Sequence, residues 1–322
     1  MSAPAAFYCV ADARYFLGAV ALVNSLRLHG HAEPVYLLDV GLDAEQRRLV
    51  AHAVELVDGS GVRAPWLAKT IAPLLHPAGV TVLIDTDMIV TRSLAEPITT
   101  AAKRGAVVFE NDTDRYFPDW GELLDLGPQR RRRYVNSGLV LLGGDTREEV
   151  LRLLEDRQRR VDVERTVGGR GDLGYPFVYP EQDVLNAILQ TRVDAARVES
   201  LPNRLAPNPP YRGLRIDDLA AIRCAHRDGT QPYVLHQFGR KPWLEATYHG
   251  IYPRLLARAL LGPGLAIEVP EEMVPVRLRS GPRALVERTA ANAYDIGRWY
   301  LGERLPALVT GDRAAKRRRG AA

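Results

Sequence analysis

One segment combines an apolar run with two acids: Val80-Thr81-Val82-Leu83-Ile84-Asp85-Thr86-Asp87-Met88. A run of β-forming residues that closes on two acids predicts a buried strand emerging at the edge of a sheet. Alternate side chains of an extended segment share one face, so Asp85 and Asp87 can converge on one hard cation while Thr86 points the other way. This arrangement suits a Mg²⁺ or Mn²⁺ ion that holds a diphosphate. The alternative is a pair of acids that caps a strand-to-loop turn.

Strand-like and helix-like segments alternate around this stretch, which predicts an α/β fold with a mainly parallel sheet. Strands are predicted at residues 7–11, 35–40, 80–84, 107–110 and 135–142. Helices are predicted at residues 17–28, 65–75 and 145–160, after a capping box of Asp43 and Gln46, and after Pro180. Open α/β folds bind ligands at the carboxyl edge of the sheet, where the two acids are expected.

The composition is that of a globular protein with a substantial core. The chain has 322 residues, of which 46% are hydrophobic and 25% are charged. A Gly262-Pro263-Gly264 boundary predicts one α/β domain at residues 1–261 and an extension at 262–322. Within the extension, residues 284–308 have an amphipathic helical pattern. This helix either docks on the core domain or forms a peripheral membrane contact or a homodimer contact.

The charge and the cysteine content limit which partners the protein is expected to bind and in which cellular compartment it is expected to lie. The 43 basic and 39 acidic residues give a formal charge of +4, and the basic runs lie at residues 130–133 and in the tail at 316–319. Two short basic runs without a binding-fold signature predict no nucleic-acid partner. Cys9 and Cys224 are too few for a disulfide framework and lack zinc-site spacing. With no leader pattern and no spanning segment, we expect a cytoplasmic protein that is either free or peripheral to a membrane.

A second segment, residues 233–243, can supply a third metal ligand. His236 ends a short apolar strand and is followed by Gly239, Arg240 and Lys241, so imidazole, backbone amides and positive charge share one loop. A lone histidine is usually a satisfied core residue, but these neighbours favour a ligand at a phosphate site. An imidazole among the ligands tilts the preference from Mg²⁺ towards Mn²⁺.

With these segments in place, the chain from residue 7 to 243 resembles the family 8 glycosyltransferases of the GT-A (Rossmann-like) fold, the group that includes glycogenin and bacterial lipopolysaccharide galactosyltransferases. The resemblance rests on motifs in the family's order. They are Ala11-Asp12-Ala13-Arg14-Tyr15, Lys69 upstream of Asp85-Thr86-Asp87, Asn136-Ser137-Gly138, Glu181-Gln182-Asp183-Val184-Leu185-Asn186 and His236 with Gly239, Lys241, Pro242 and Trp243.

Two departures from the family pattern affect the expected roles. The histidine motif is one residue shorter before Lys241, so either Arg240 or Lys241 takes the phosphate-binding place. Glu181 stands where the family usually has Asp, which leaves the sugar specificity open.

The resemblance implies a retaining hexosyltransferase that uses an NDP-sugar donor, with UDP favoured, and a Mn²⁺ or Mg²⁺ ion. It implies metal ligation by Asp85, Asp87 and His236. It implies donor binding by Ala11, Asp12, Tyr15, Lys69, Thr86, Asn136, Ser137, Gly239, Arg240 and Lys241. It implies catalytic roles for Gln182, Glu181, Asp183 and Lys241.

Catalysis in such a site stabilises the negative charge of a departing diphosphate. Retention by double displacement needs a carboxylate nucleophile on the far face of the sugar. Gln182 occupies that family position, and because an amide is a poor nucleophile, we expect a front-face mechanism in which Gln182 stabilises the cationic sugar. A covalent sugar adduct on Glu181 or Asp183 would overturn this mechanism.

Three predicted donor contacts also have structural alternatives: Asp12 as a strand-end cap, Tyr15 as a half-buried aromatic and Lys69 as a helix-surface cation. Two rival functions stay open at this stage. One is a haloacid dehalogenase-like phosphatase with Asp85 as nucleophile, although that family has its motif on the first strand. The other is a non-catalytic nucleotide-sugar-binding protein. The acceptor is not predicted, because residues 111–133 and 168–177 have the character of variable loops over the binding face.

Overall fold

The computed structural model describes residues 4–62, 64–245 and 250–301. The strands are β1 Ala5–Ala11, β2 Val35–Asp39, β3 Glu55–Asp58, β4 Val80–Ile84, β5 Met88–Val90, β6 Ala106–Glu110, β7 Val135–Gly143, β8 Val198–Leu201, β9 Leu214–Asp218, β10 Arg223–His226 and β11 Val234–His236. The helices are α1 Phe16–Leu28, α2 Ala44–Val50, α3 Ile71–Leu75, α4 Ala95–Arg104, α5 Trp120–Leu123, α6 Gly144–Gln158, α7 Pro180–Thr191, α8 Tyr252–Leu261 and α9 Pro282–Leu301.

A seven-stranded sheet with the order β3-β2-β1-β4-β7-β6-β8 forms the centre of the molecule. β3, β2, β1 and β4 are parallel, whereas β7 is antiparallel to both of its neighbours, β4 and β6. β8 closes the far edge parallel to β6. The predicted α/β class with a mainly parallel sheet is confirmed. β1 and β4 end side by side, and ligands bind at such an edge in open α/β sheets.

Both faces of the sheet are covered, as the alternation of side chains along β1 shows. Phe7 and Cys9 pack into the core beneath α1 and α8, whereas Ala6 and Tyr8 pack into the core shared with α6 and α7. The hydrophobic run Val80–Ile84 is buried throughout because both of its faces meet helices.

The predicted elements are largely present, with differences at their ends. Asp43 and Gln46 form the predicted capping box at the start of α2. The single helix predicted at residues 65–75 is wrong: a 3₁₀ turn at Pro65–Leu67 and the short α3 stand in its place. The chain leaves helical geometry at Ala68 (φ −101°, ψ 3°), directly before Lys69 turns into the site.

The start of α6 also differs from the prediction. Its N-cap is Gly143, which makes no side-chain cap hydrogen bond, and Asp145 lies inside the first turn. The glycine at 144 has a positive φ of 54°, a conformation that favours glycine and lets the chain turn directly from β7 into the helix.

The extension after Leu261 packs on the same core in its first part. Asn24 of α1 donates to the carbonyls of Ala259 and Ile267, each at 2.9 Å, and accepts from the Ile267 amide at 2.8 Å. On α9, Ala284 is buried, whereas Leu285 and Val286 are exposed. The predicted boundary at residue 262 stays a prediction. Residues 302–308 of the amphipathic pattern and the basic tail lie outside the described residues, and no described helix is long and apolar enough to cross a membrane.

Candidate metal and donor site

The strand register brings His236 to the two acids. Asp85 follows β4 directly, and its amide donates to the Gly138 carbonyl at 2.8 Å, which fixes the end of the strand against β7. The chain then turns into β5, which pairs antiparallel with β11 so that Met88 lies opposite His236. The Gln237 amide donates to the Asp87 carbonyl at 2.9 Å and continues this pairing.

Asp85, Asp87 and His236 thereby form one cluster, in which one ligand atom from each residue lies within 4.8 Å of the others. His236 Nε2 is 3.2 Å from Asp87 Oδ1 and 3.7 Å from Asp85 Oδ2. Asp87 and His236 are buried, and Asp85 is partly exposed, so the cluster has one open side. The three predicted metal ligands are thus brought together.

The donor set fits a divalent ion of the Mn²⁺ type. Asp87 Oδ1 is buried and accepts no hydrogen bond from a described residue. Buried polar atoms normally have a partner, so this oxygen is available to bind a metal ion. Adjacent ligands of an octahedral ion with bonds of about 2.1 Å are roughly 3 Å apart, close to the Nε2 to Oδ1 spacing. Two carboxylates and one imidazole are ligands that Mn²⁺ accepts.

Two lysines compensate the charge of the carboxylates. Lys241 Nζ donates to Asp87 Oδ2 and, at 2.5 Å, to the Gln237 carbonyl. Lys69 Nζ contacts Asp85 Oδ1 and lies 2.8 Å from Glu181 Oε2. Both lysines are buried, so Lys69 is not the helix-surface cation of the structural alternative.

The pKa values follow from burial and these ion pairs. Burial acts to raise the pKa of Asp87, but His236 and Lys241 outweigh it and hold that pKa well below its usual range. Burial acts to lower the pKa of Lys69, yet Asp85 and Glu181 raise it above its ordinary value. Asp87 and Lys69 are therefore both charged at neutral pH.

Of the two cations left open by the sequence, Lys241 is the one that points into the cluster. Arg240 Nε instead lies 3.0 Å from Glu245 Oε2, and its guanidinium is 5.8 Å from the ring centroid of Tyr294. Gly239 precedes both with a positive φ of 89°, which a residue with a side chain rarely adopts.

The start of α7 carries three of the four predicted catalytic residues, Glu181, Gln182 and Asp183, and each of the three has different partners. Gln182 Oε1 accepts from the Ser137 amide at 3.1 Å, which connects α7 to the Asn136-Ser137-Gly138 segment. Glu181 is buried beside Lys69, and burial raises its pKa to about 7, with Lys69 opposing and Asp85 adding to the shift.

Asp183 faces a different set of partners. Its Oδ1 accepts from Arg115 Nε at 3.0 Å and from the Tyr134 hydroxyl at 2.7 Å, and its Oδ2 accepts from the Tyr179 amide at 2.9 Å. Burial raises its pKa to about 6 against the opposing effect of these donors. Both of its oxygens are therefore used to fix the start of α7 against residues 115 and 134, which the sequence did not single out.

The segment after β1 lies beside the cluster. Asp12 Oδ1 accepts from the Tyr15 amide at 2.9 Å, which is the strand-end cap of the structural alternative. The Tyr15 ring packs edge-on against Trp243 at 6.1 Å, and Lys241 Nζ lies 5.9 Å from its centroid. The Thr86 hydroxyl donates to the Val10 carbonyl at 3.2 Å, away from the two carboxylates as predicted.

Two buried tyrosines that the sequence analysis missed hold the backbone of the predicted ligands. The Tyr252 hydroxyl of α8 donates to the Asp87 carbonyl at 2.9 Å, and the Tyr211 hydroxyl donates to the His236 carbonyl at 3.0 Å. Both rings are stacked with centroids 6.3 Å apart. No local pattern marks them, because they come from segments distant in sequence.

Comparison with known proteins relates this geometry to enzymes that transfer sugars. No family model matches the sequence, and no curated protein matches it. Among solved structures, the galactosyltransferase LgtC, in complex with donor and acceptor sugar analogues, is 17% identical with a TM-score of 0.54, over 83% of this chain and 98% of that chain.

Other glycosyltransferase structures match over a similar share of this chain. The bifunctional glycosyltransferase WbbM is 15% identical with a TM-score of 0.53, over 81% of this chain and 50% of that chain. GlyE of Streptococcus pneumoniae is 15% identical with a TM-score of 0.50, over 81% of this chain and 61% of that chain. The chain therefore has the GT-A glycosyltransferase fold that its resemblance to family 8 predicts.

Proposed function

We propose that this chain is a retaining glycosyltransferase that moves a hexose-type sugar from an NDP-sugar, with UDP favoured, to a hydroxyl acceptor. The observation that carries the proposal is the cluster of Asp85, Asp87 and His236 at the carboxyl edge of the sheet, with Lys241 and Lys69 against it. A site with two acids, an imidazole and two inward cations matches the charge of a metal-bound diphosphate. The three solved glycosyltransferase structures described above support the same reaction class.

The metal, Mn²⁺ or Mg²⁺, would be held by Asp85, Asp87 and His236 and would supply Lewis-acid stabilisation of the diphosphate. Lys241 would add a fixed positive charge at the phosphate, since its ammonium already lies at the cluster. Ala11 ends β1, and Asp12 and Tyr15 follow it, where the nucleoside would bind. Gly239 lets the backbone approach the phosphates closely.

The carboxylates near α7 favour a front-face reaction. Glu181 is paired with Lys69, and Asp183 is bound by Arg115 and Tyr134, so neither is a free nucleophile. We infer that the bond between the anomeric carbon and the phosphate oxygen breaks with its electron pair going to the diphosphate. The acceptor oxygen bonds to that carbon on the same face, and its proton passes to the departing phosphate oxygen.

Gln182 would stabilise the sugar cation during this step. Its amide oxygen is positioned by the Ser137 amide, and together with Asn136 this segment would line the donor sugar. Among the neighbours, LgtC has also been solved as an active-site mutant with glutamate in place of glutamine. A glutamine is thus an active-site residue in that protein, and we propose the same place for Gln182 here.

The rival phosphatase is less well supported, because Asp85 is ion-paired with Lys69 and follows the fourth strand rather than the first. The test is a panel of UDP- and other NDP-sugars assayed for Mn²⁺-dependent release of free sugar and nucleoside diphosphate. We expect one donor to be hydrolysed, and Asp87→Asn to lower the rate by about a thousandfold.

The exposed Asp217→Asn is the matched control and should keep the native rate. Release of inorganic phosphate from small phosphoesters would instead support the phosphatase. Binding of donor without any turnover would support the non-catalytic alternative.

A further inference from the structure

Trp66 is an exposed aromatic residue at the edge of the proposed site. It lies in the 3₁₀ turn Pro65–Leu67, and 40% of the residue is exposed, although tryptophan is highly buried on average. Three residues later, Lys69 contacts Asp85 and Glu181, and the turn that carries Trp66 also contacts α7, the helix of Gln182.

The indole is held from the other side by the glycine-rich loop before α7. A Cβ built on Gly168 would lie 2.7 Å from Trp66 Cζ2 and 3.2 Å from its neighbours Cε2 and Cη2. The backbone of Gly168 therefore packs directly on the benzo half of the indole, and any side chain at 168 would displace the ring. The Val167 amide donates a hydrogen bond to the Val178 carbonyl at 2.8 Å. This bond closes the loop shortly before α7, which carries Gln182.

Trp66 thus connects the two segments that deliver Lys69 and Gln182, and it presents the uncovered part of its ring to solvent. The indole N–H donates no hydrogen bond to any residue of the described chain, so it can meet a hydroxyl. On the same loop, Arg165 and Asp172 form a half-exposed ion pair at 2.7 Å. An aromatic face with an N–H donor at its edge and charged groups on the adjoining loop is apolar in the middle and polar around it. A sugar ring has the same arrangement, with an apolar C–H face and a rim of hydroxyl groups.

We propose that Trp66, seated on Gly168, is the platform on which a pyranose ring of the acceptor stacks. The acceptor is then a carbohydrate, whose apolar C–H face covers the indole and whose hydroxyls meet the polar rim. This inference rests on the proposed glycosyl transfer and adds the chemical class of the acceptor. A lipid or an apolar peptide fits less well, because the loop on which the indole is seated carries the half-exposed ion pair of Arg165 and Asp172.

The test measures transfer against hydrolysis in the full-length protein, with Mn²⁺ and the donor identified by the hydrolysis panel. The ring acceptors are lactose, maltose and methyl β-galactoside, and glycerol is the acceptor without a ring. We expect saturable transfer to at least one ring sugar, and Trp66→Ala should lower the ratio of transfer to hydrolysis by about tenfold or more. Trp66→Tyr should restore most of the ratio because it keeps an aromatic face.

Leu75→Ala is the matched control, since Leu75 is a large exposed apolar residue outside the platform and its loss should leave the ratio unchanged. An equal ratio in Trp66→Ala and native protein, glycerol used as well as the ring sugars, or no ring sugar used would overturn the platform. Absence of any metal-dependent donor hydrolysis would instead overturn the proposed function, and the platform with it.

Discussion

Replacing Gly138 by alanine places a methyl group against the predicted metal ligand His236. A Cβ at this position would lie 2.6 Å from Met88 Cε and 2.8 Å from both Asn136 Oδ1 and His236 Cε1. Carbon atoms pack at about 3.5 Å or more, so the imidazole or its neighbours must retreat by roughly 0.7 Å. The end of the Met88 side chain can move, whereas the imidazole is buried and its backbone is paired in β11.

The displacement should affect metal binding more than stability. Overpacking of this kind costs about 1–3 kcal/mol in unfolding free energy, which leaves the protein folded. Metal ligands tolerate displacements of only about 0.2 Å, so we expect the Kd for Mn²⁺ to rise about tenfold or more in Gly138→Ala. Calorimetric titration with Mn²⁺ in the presence of UDP measures this Kd, and thermal unfolding reports the stability.

Gly174→Ala is the matched control, because its added Cβ makes only an ordinary contact, 3.4 Å from Asp172 Oδ1, and leaves the cluster untouched. An unchanged Kd for Mn²⁺ in Gly138→Ala, with the expected loss of stability, would refute the reasoning. The ion would then bind elsewhere, or His236 would not be one of its ligands.

Three further predictions concern the charge of Lys241, the hydrogen bond from Tyr252 and the ionisation of the two thiols. Lys241→Ala should lower kcat for donor hydrolysis by about a hundredfold, whereas Arg240→Ala should change it little; equal effects in steady-state assays would contradict the assignment of the inward cation. Tyr252→Phe should lower the unfolding free energy by about 0.5–1.5 kcal/mol, measured by urea denaturation, since the buried Asp87 carbonyl loses one donor and keeps the Gln237 amide. Burial raises the pKa of Cys9 to about 12 and that of Cys224 to about 11, so neither should react with Ellman's reagent in the native protein at pH 8. Because the thiols ionise in the unfolded chain first, unfolding free energy should fall as pH rises from 8 to 10, by about 2 kcal/mol per thiol, and Cys9→Ala should lessen this slope.

The sequence predicts the part of the site that local geometry determines. Alternation along β4 and the position of its end placed Asp85 and Asp87 together, and the apolar strand before His236 made a second ligand segment recognisable. What the pattern could not supply is the pairing of β5 with β11, which sets Met88 opposite His236. Such register depends on contacts between segments far apart in sequence.

The residues that support the site were not predicted either, because they also depend on contacts between distant segments. Arg115 and Tyr134 act only because the loop of residues 111–133 folds back on α7 to reach Asp183. The break between Pro65–Leu67 and α3 was also missed, since a helical pattern does not reveal that Lys69 must turn inward to two carboxylates. Tertiary ion pairs overrode local propensity there.

Anomalous diffraction at the manganese absorption edge, from crystals grown with Mn²⁺ and UDP, would locate the ion itself. We expect one strong peak within about 2.0–2.3 Å of a carboxylate oxygen of Asp85, a carboxylate oxygen of Asp87 and Nε2 of His236. A peak bound to other residues, or none at this edge of the sheet when UDP is present, would contradict it.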